Sequence, residues 1–163
     1  MRGDGYERVG DSEYIARIIT SPNGYDQTSG ELVSARIRAI FSSGLSMVRE
    51  DASDSEIRAT IDQLLGAEDG PYELVGVSIM QAAEVRRLIE DERWYCVYDT
   101  FDGEKLHHAD ITSTTPTAVN ASQLDKKKSK RRKELQRLLE ENLQAASSPE
   151  NVISIIRSAT VAV

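Results

Sequence analysis

Apolar positions recur along this chain with two different periods, and those periods set the expected elements. Over residues 33–41, Val33, Ala35, Ile37, Ala39 and Phe41 alternate with Ser34, Arg36 and Arg38, which predicts a strand with one buried face. After a break at Gly44, Leu45-Ser46-Met47-Val48-Arg49 predicts a second strand, and residues 72–77 a third. The aromatic and β-branched run Trp94-Tyr95-Cys96-Val97-Tyr98 predicts a fourth, which pairs across an Asp102-Gly103 turn with residues 105–111 as a hairpin.

Helical spacing appears elsewhere. Tyr14, Ile15, Ile18 and Ile19 follow Asp11 and Ser12, either of which suits a cap, and predict a short helix ending before Ser21-Pro22-Asn23-Gly24. Ser53-x-x-Glu56 is a capping box, followed by Ile57, Ile61, Leu64 and Leu65 on one face and by Gly66 at the C-terminal end. Ser78-x-x-Gln81 reads as a second box opening a helix to about residue 89. From Ser122 a longer helix is predicted by Leu124, Leu135, Leu138, Leu139 and Leu143, and Pro149 suits the first turn of a last helix presenting Val152, Ile155 and Ile156.

The resulting expectation is an α+β fold, a small mixed sheet with helices over one face, ending in a basic helix and a short terminal helix. It divides into a core over residues 1–111, a polar loop over 112–121 and a helical segment over 122–163. At 163 residues, one compact domain with a tail is the natural size. One cysteine, Cys96, cannot form an intramolecular disulfide, and no apolar run is long enough for a membrane span, so a cytoplasmic protein with no membrane contact is expected. In a strand between large residues, Cys96 reads as a small buried hydrophobe rather than a nucleophile.

Charge changes the picture more than composition does. Lys126, Lys127, Lys128, Lys130, Arg131, Arg132 and Lys133 form a run without an acid, inside a chain whose net charge is -7. The remainder therefore carries 13 basic against 27 acidic side chains. An acidic body with one basic segment offers a single place for a polyanion or an acidic protein to bind. Basic charge near a helix N-terminus also opposes the macrodipole. The sequence around the run holds no aromatic platform of the kind single-strand binders stack bases on.

Candidate chemistry is sparser. His107 and His108 are adjacent, so on a strand they point to opposite faces, whereas His108 and Asp110 share one. A carboxylate there could orient an acid–base imidazole, with Arg49 or Arg36 and Arg38 gripping an anionic, phosphorylated or nucleotide-like substrate. Two histidines and one cysteine without ligand spacing make no metal set, and no phosphate loop or dinucleotide fingerprint occurs, so no metal and no cofactor is expected.

The motifs Leu45-Ser46-Met47-Val48-Arg49 and His108-Ala109-Asp110-Ile111 resemble segments of a scattered set of small bacterial proteins of no known activity, over roughly residues 14–139. That resemblance implies a bacterial cytoplasmic protein and no transferable activity. The leading expectation is a non-catalytic accessory protein that contacts a protein or nucleic-acid partner through the basic helix and the apolar C-terminus. A small enzyme using His108 and Asp110, and a plain nucleic-acid binder, are the alternatives.

Overall fold

Ile15, Ile18 and Ile19 lie in a strand, not in the expected helix. The computed structural model describes residues 8–88, 94–100 and 107–161. In it β1 (Tyr14–Ser21) pairs with β4 (Leu45–Arg49) on one side and β5 (Glu73–Gln81) on the other, both antiparallel. Ile15 and Ile19 enter one apolar cluster while Ala16 and Ile18 enter another on the opposite face. A strand buried on both faces reads as a continuous apolar run, which mimics helical spacing in a short window. Tertiary pairing then decides for strand.

The converse correction falls on residues 33–41. They form a short helix α1 (Ser34–Ile37) running into a 3-10 turn (Arg38–Phe41), with Ile37 and Ile40 buried three apart. Ala35 and Ala39 supplied the apparent alternation, yet alanine is the strongest helix former and makes little demand for burial. Before α1, the two-residue strands β2 (Tyr25–Asp26) and β3 (Glu31–Leu32) make a separate small ribbon.

The capping box at Ser53 forms as expected. In α2 (Asp54–Leu65) Glu56 N donates to Ser53 Oγ at 3.2 Å and Ser53 N to Glu56 Oε2 at 2.7 Å, and Ile57 and Ile61 are buried. The second box is displaced by three residues. Ser78 remains in β5, buried, with its hydroxyl donating to Leu139 O at 2.7 Å. Gln81 N donates instead to Glu84 Oε2, opening the five-residue helix α3 (Ala82–Arg86).

β6 (Tyr95–Asp99) and β7 (His108–Ser113) pair antiparallel as the hairpin reading requires, although its Asp102-Gly103 turn lies outside the described residues. The two motifs of the resemblance fall on adjacent strands, with Leu45 opposite Ile111 and Val48 opposite His108. The chain closes with α4 (Ala121–Glu141), a short edge strand β8 (Leu143–Ala145) paired to β5, and α5 (Pro149–Val161).

Together these give an α+β fold around a six-stranded sheet in the order β6-β7-β4-β1-β5-β8. Every pairing is antiparallel, so the sheet is not mixed. Helices cover both faces, not one. Leu135, Leu138 and Leu139 of α4 pack with Ile37, Ile40 and Val85 on one side, and Ile57 and Ile61 of α2 pack with Val152, Ile153 and Ile156 of α5 on the other. The apolar face of α5 is thus consumed by the protein's own core. Among the described residues, no helix is long and apolar enough to cross a membrane.

Candidate nucleic-acid interface

α4 begins at Asn120, whose Oδ1 accepts from Gln123 N at 2.9 Å, and its first turn contains no acid. Its apolar stripe, Leu135, Leu138 and Leu139, anchors only the C-terminal half. The basic half is held by a different device. Arg131 is 5% exposed, and its guanidinium carbon lies 4.3 Å from the centre of the Trp94 ring. From the same group Nη1 donates to Ser113 Oγ at 3.1 Å and to Thr114 O at 2.5 Å, while Arg131 O accepts from Tyr95 Oη at 2.5 Å. Burial pushes the Tyr95 phenol well above its ordinary pKa, so it remains a donor. A guanidinium suits this position because its planar face can stack while its edge keeps donating.

Two further cations lie over aromatic rings. Lys130 Nζ is 5.6 Å from the centre of Trp94, and Lys128 Nζ is 5.5 Å from that of Phe41. Lys127 Nζ donates to Thr117 O. The aromatic residues that the sequence around the run lacks are therefore brought to it by the fold. Phe41 lies 87 positions before Lys128, in the 3-10 turn beside α1, and Arg38 stands one turn of that helix before it. Arg38 is exposed at the start of that turn. No local signal could have placed Phe41 beside Lys128, since residues 33–41 read as a strand.

Of the seven predicted binding residues, Arg131 is thus a buried anchor and not a contact. Lys126, Lys127, Lys130 and Lys133 are exposed, and Lys128 and Arg132 are half-buried. Lys126, Lys130 and Lys133 stand at i, i+4 and i+7, one face of the helix about 10 Å long at 1.5 Å per residue. Arg137, the next position on that face, is neutralised by Glu141 at 2.6 Å and Glu134 at 3.5 Å. Charge along α4 runs against the helix dipole. Its first turn has no acid, Glu140 and Glu141 sit at the C-terminal end, and the last turn has no base.

The other predicted residues are dispersed. Arg49 donates from Nε to Glu13 Oε2 at 2.6 Å and from Nη1 to Asp99 Oδ2 at 2.8 Å, and the hydrogen bonds to Glu13 hold its pKa above the usual value. It is committed to two carboxylates. His108 Nδ1 is 2.6 Å from Thr100 Oγ1, and Asp110 is buried, its Cβ facing Gly44. His107, on the opposite face, donates from Nδ1 to Glu56 Oε1 at 2.9 Å and so braces the start of α2. Arg36 and Arg38 are on α1 and the 3-10 turn rather than on a strand beside Arg49. Cys96 is half-buried in β6 opposite Thr112. Among the described residues, no three His, Cys, Asp or Glu side chains converge as a metal site.

No protein-family model, no curated protein and no solved structure matches this chain. Function must be argued from the surface itself.

Proposed function

We propose that this chain is a non-catalytic interaction module whose contact surface is the basic half of α4 and whose partner is the phosphate backbone of a nucleic acid. The observation that supports this reading most is the density of like charge in α4. Seven of the eight positions from 126 to 133 are basic with no acid among them, in a chain of 27 acidic against 20 basic side chains. Like charges packed so closely on one helix repel one another, and phosphate contacts offset that repulsion.

The fold makes the surface specific in position. Arg131 fixes the helix so that Lys126, Lys130 and Lys133 project together, and the acidic remainder of the chain repels a polyanion everywhere else. Lys130 of that stripe lies over Trp94, and Lys128 lies over Phe41. A bacterial cytoplasmic setting belongs to the same proposal.

The test is fluorescence anisotropy of a labelled duplex and a labelled single strand with the intact protein at low and moderate salt, beside a variant carrying Lys126→Gln, Lys130→Gln and Lys133→Gln. Salt-sensitive binding that the variant loses supports the reading. Absence of binding at low salt to either probe refutes it.

A further inference from the structure

We propose that a second, unrelated surface is a small oxyanion site, in which Arg17 of β1 and Arg36 of α1 together grip a phosphate or carboxylate group. The two side chains line one cavity of about 110 Å³ between β1, the N-terminus of β4, α1 and α4. None of the basic run of α4 lines it.

Arg17 interrupts an otherwise apolar row. Ile15 and Ile19, two residues to either side, belong to the core beneath α4, and Ile37, Leu45 and Leu139 line the same cavity as Arg17. Arg17 is half-buried, and a charge held partly out of water gains from an anionic partner. Its hydrogen bond is to a neutral acceptor, from Nη1 to Ser46 O at 2.7 Å. Arg36 likewise donates from Nε to a main-chain oxygen, Asn23 O at 3.3 Å. Among the described residues neither arginine has a carboxylate within ion-pair distance. Asp110 acts on Arg17 only at longer range, whereas burial first and then the charge of Arg36 lower the Arg17 pKa to about 10.

Several other arginines of the molecule are paired with acids, although Arg131 also donates to neutral acceptors. Arg49 meets Glu13 and Asp99, Arg86 meets Asp11 at 2.6 Å, and Arg157 meets Asp54 at 2.9 Å. With 27 acids against 20 bases, carboxylates are not scarce, yet two arginines close enough for the charge of one to act on the other line a cavity that no carboxylate lines. Five donors per guanidinium in a rigid fork match an oxyanion in bidentate geometry. Asn23 adds to the donor set. Its Oδ1 accepts from Thr20 Oγ1 at 2.6 Å, which leaves its amide NH₂ as a further donor on the cavity wall.

The cavity also bounds the ligand. Pockets for cofactor-sized molecules run to roughly 300–1,000 Å³, so this one takes a single oxyanion head with a short substituent and not a nucleotide. Its apolar walls suit a small organic acid or phosphate ester, and free phosphate presents the same head group.

The test reads melting temperature and the arginine Nε–H NMR resonances while inorganic phosphate, sulfate or acetate is added, each against chloride at equal ionic strength. The parent is expected to gain melting temperature with at least one oxyanion beyond the chloride control, with two arginine resonances shifting together. Arg36→Gln, at an exposed position, keeps the fold and weakens the apparent affinity about tenfold, as loss of one charge-assisted contact requires. Arg17→Gln abolishes the response. The variant with Lys126, Lys130 and Lys133 changed to Gln retains it, which separates this site from the nucleic-acid surface. Greater stabilisation by phosphate than by acetate assigns a phosphoryl head, and the reverse a carboxylate. The proposal is overturned if no oxyanion exceeds chloride, or if Arg36→Gln responds as the parent does.

Discussion

Arg131 is stacked on Trp94, 4.3 Å from guanidinium carbon to ring centre, and this contact converts a run of like charges into an ordered surface. The same guanidinium donates to Ser113 and Thr114 at the end of β7, so α4 is latched to the β6–β7 hairpin. Arg131→Ala removes the stack and several hydrogen bonds to a charged donor, and a loss of about 2–4 kcal/mol in urea denaturation is expected. Arg131→Lys keeps the charge and loses the planar fork, with a loss of about 1–2 kcal/mol. Trp94 is the only tryptophan, so a red shift of its emission in both variants reports undocking directly.

Salt dependence measures how many cations of α4 touch phosphate. For a duplex, each phosphate neutralised contributes about -0.9 to the slope of log K against log salt. Changing Lys126, Lys130 and Lys133 to Gln is expected to flatten that slope by about 2 to 3 units. An unchanged slope in an otherwise folded variant would place the contact elsewhere.

Tyr95 gives the protein an alkaline limit. Burial raises its pKa in the folded state, and its hydroxyl donates to Arg131 O. A group whose pKa is raised on folding contributes stability fully below its unfolded pKa, near 10 for tyrosine, and loses it as pH rises beyond. Urea midpoints are therefore expected to fall between pH 9 and pH 11 by roughly the scale of one titrating group. Tyr95→Phe costs about 1 kcal/mol at neutral pH and shows a smaller alkaline fall.

Gly76 sets how closely β8 approaches β5. A Cβ there would come within 2.2 Å of Gln144 O, a backbone atom that moves only if the strand moves. Gly76→Ala is expected to lose about 1–3 kcal/mol and to detach β8, seen as faster amide exchange at Gln144 and Ala146. Unaltered protection of those amides would contradict the close packing of this edge.

Much of this molecule was legible where local chemistry and tertiary demand coincide. Ser53 and Glu56 cap α2 within three residues of each other, β4 and the β6–β7 pair carry strand-forming residues, and Pro149 starts α5; none depends on a distant partner. The basic run, too, is plain in composition. Its role was not, because Arg131 looks like its neighbours in the sequence and only the positions of Trp94, Ser113 and Thr114 distinguish it.

By itself, then, the sequence determined the α+β class, the caps, the basic segment of α4 and the acidic character of everything else. Tertiary structure decided which periods were real. Ile15, Ile18 and Ile19 became strand because β1 lies between two neighbours and two helical layers, and residues 33–41 became helical because Ile37 and Ile40, three apart, are the positions buried in the core. It alone brought Phe41 to Lys128 and Arg17 to Arg36. Local propensities differ by less than about 1 kcal/mol per residue, whereas burying one large apolar side chain contributes about 1.5–3 kcal/mol, so contacts between distant residues overrule the local pattern wherever the two disagree.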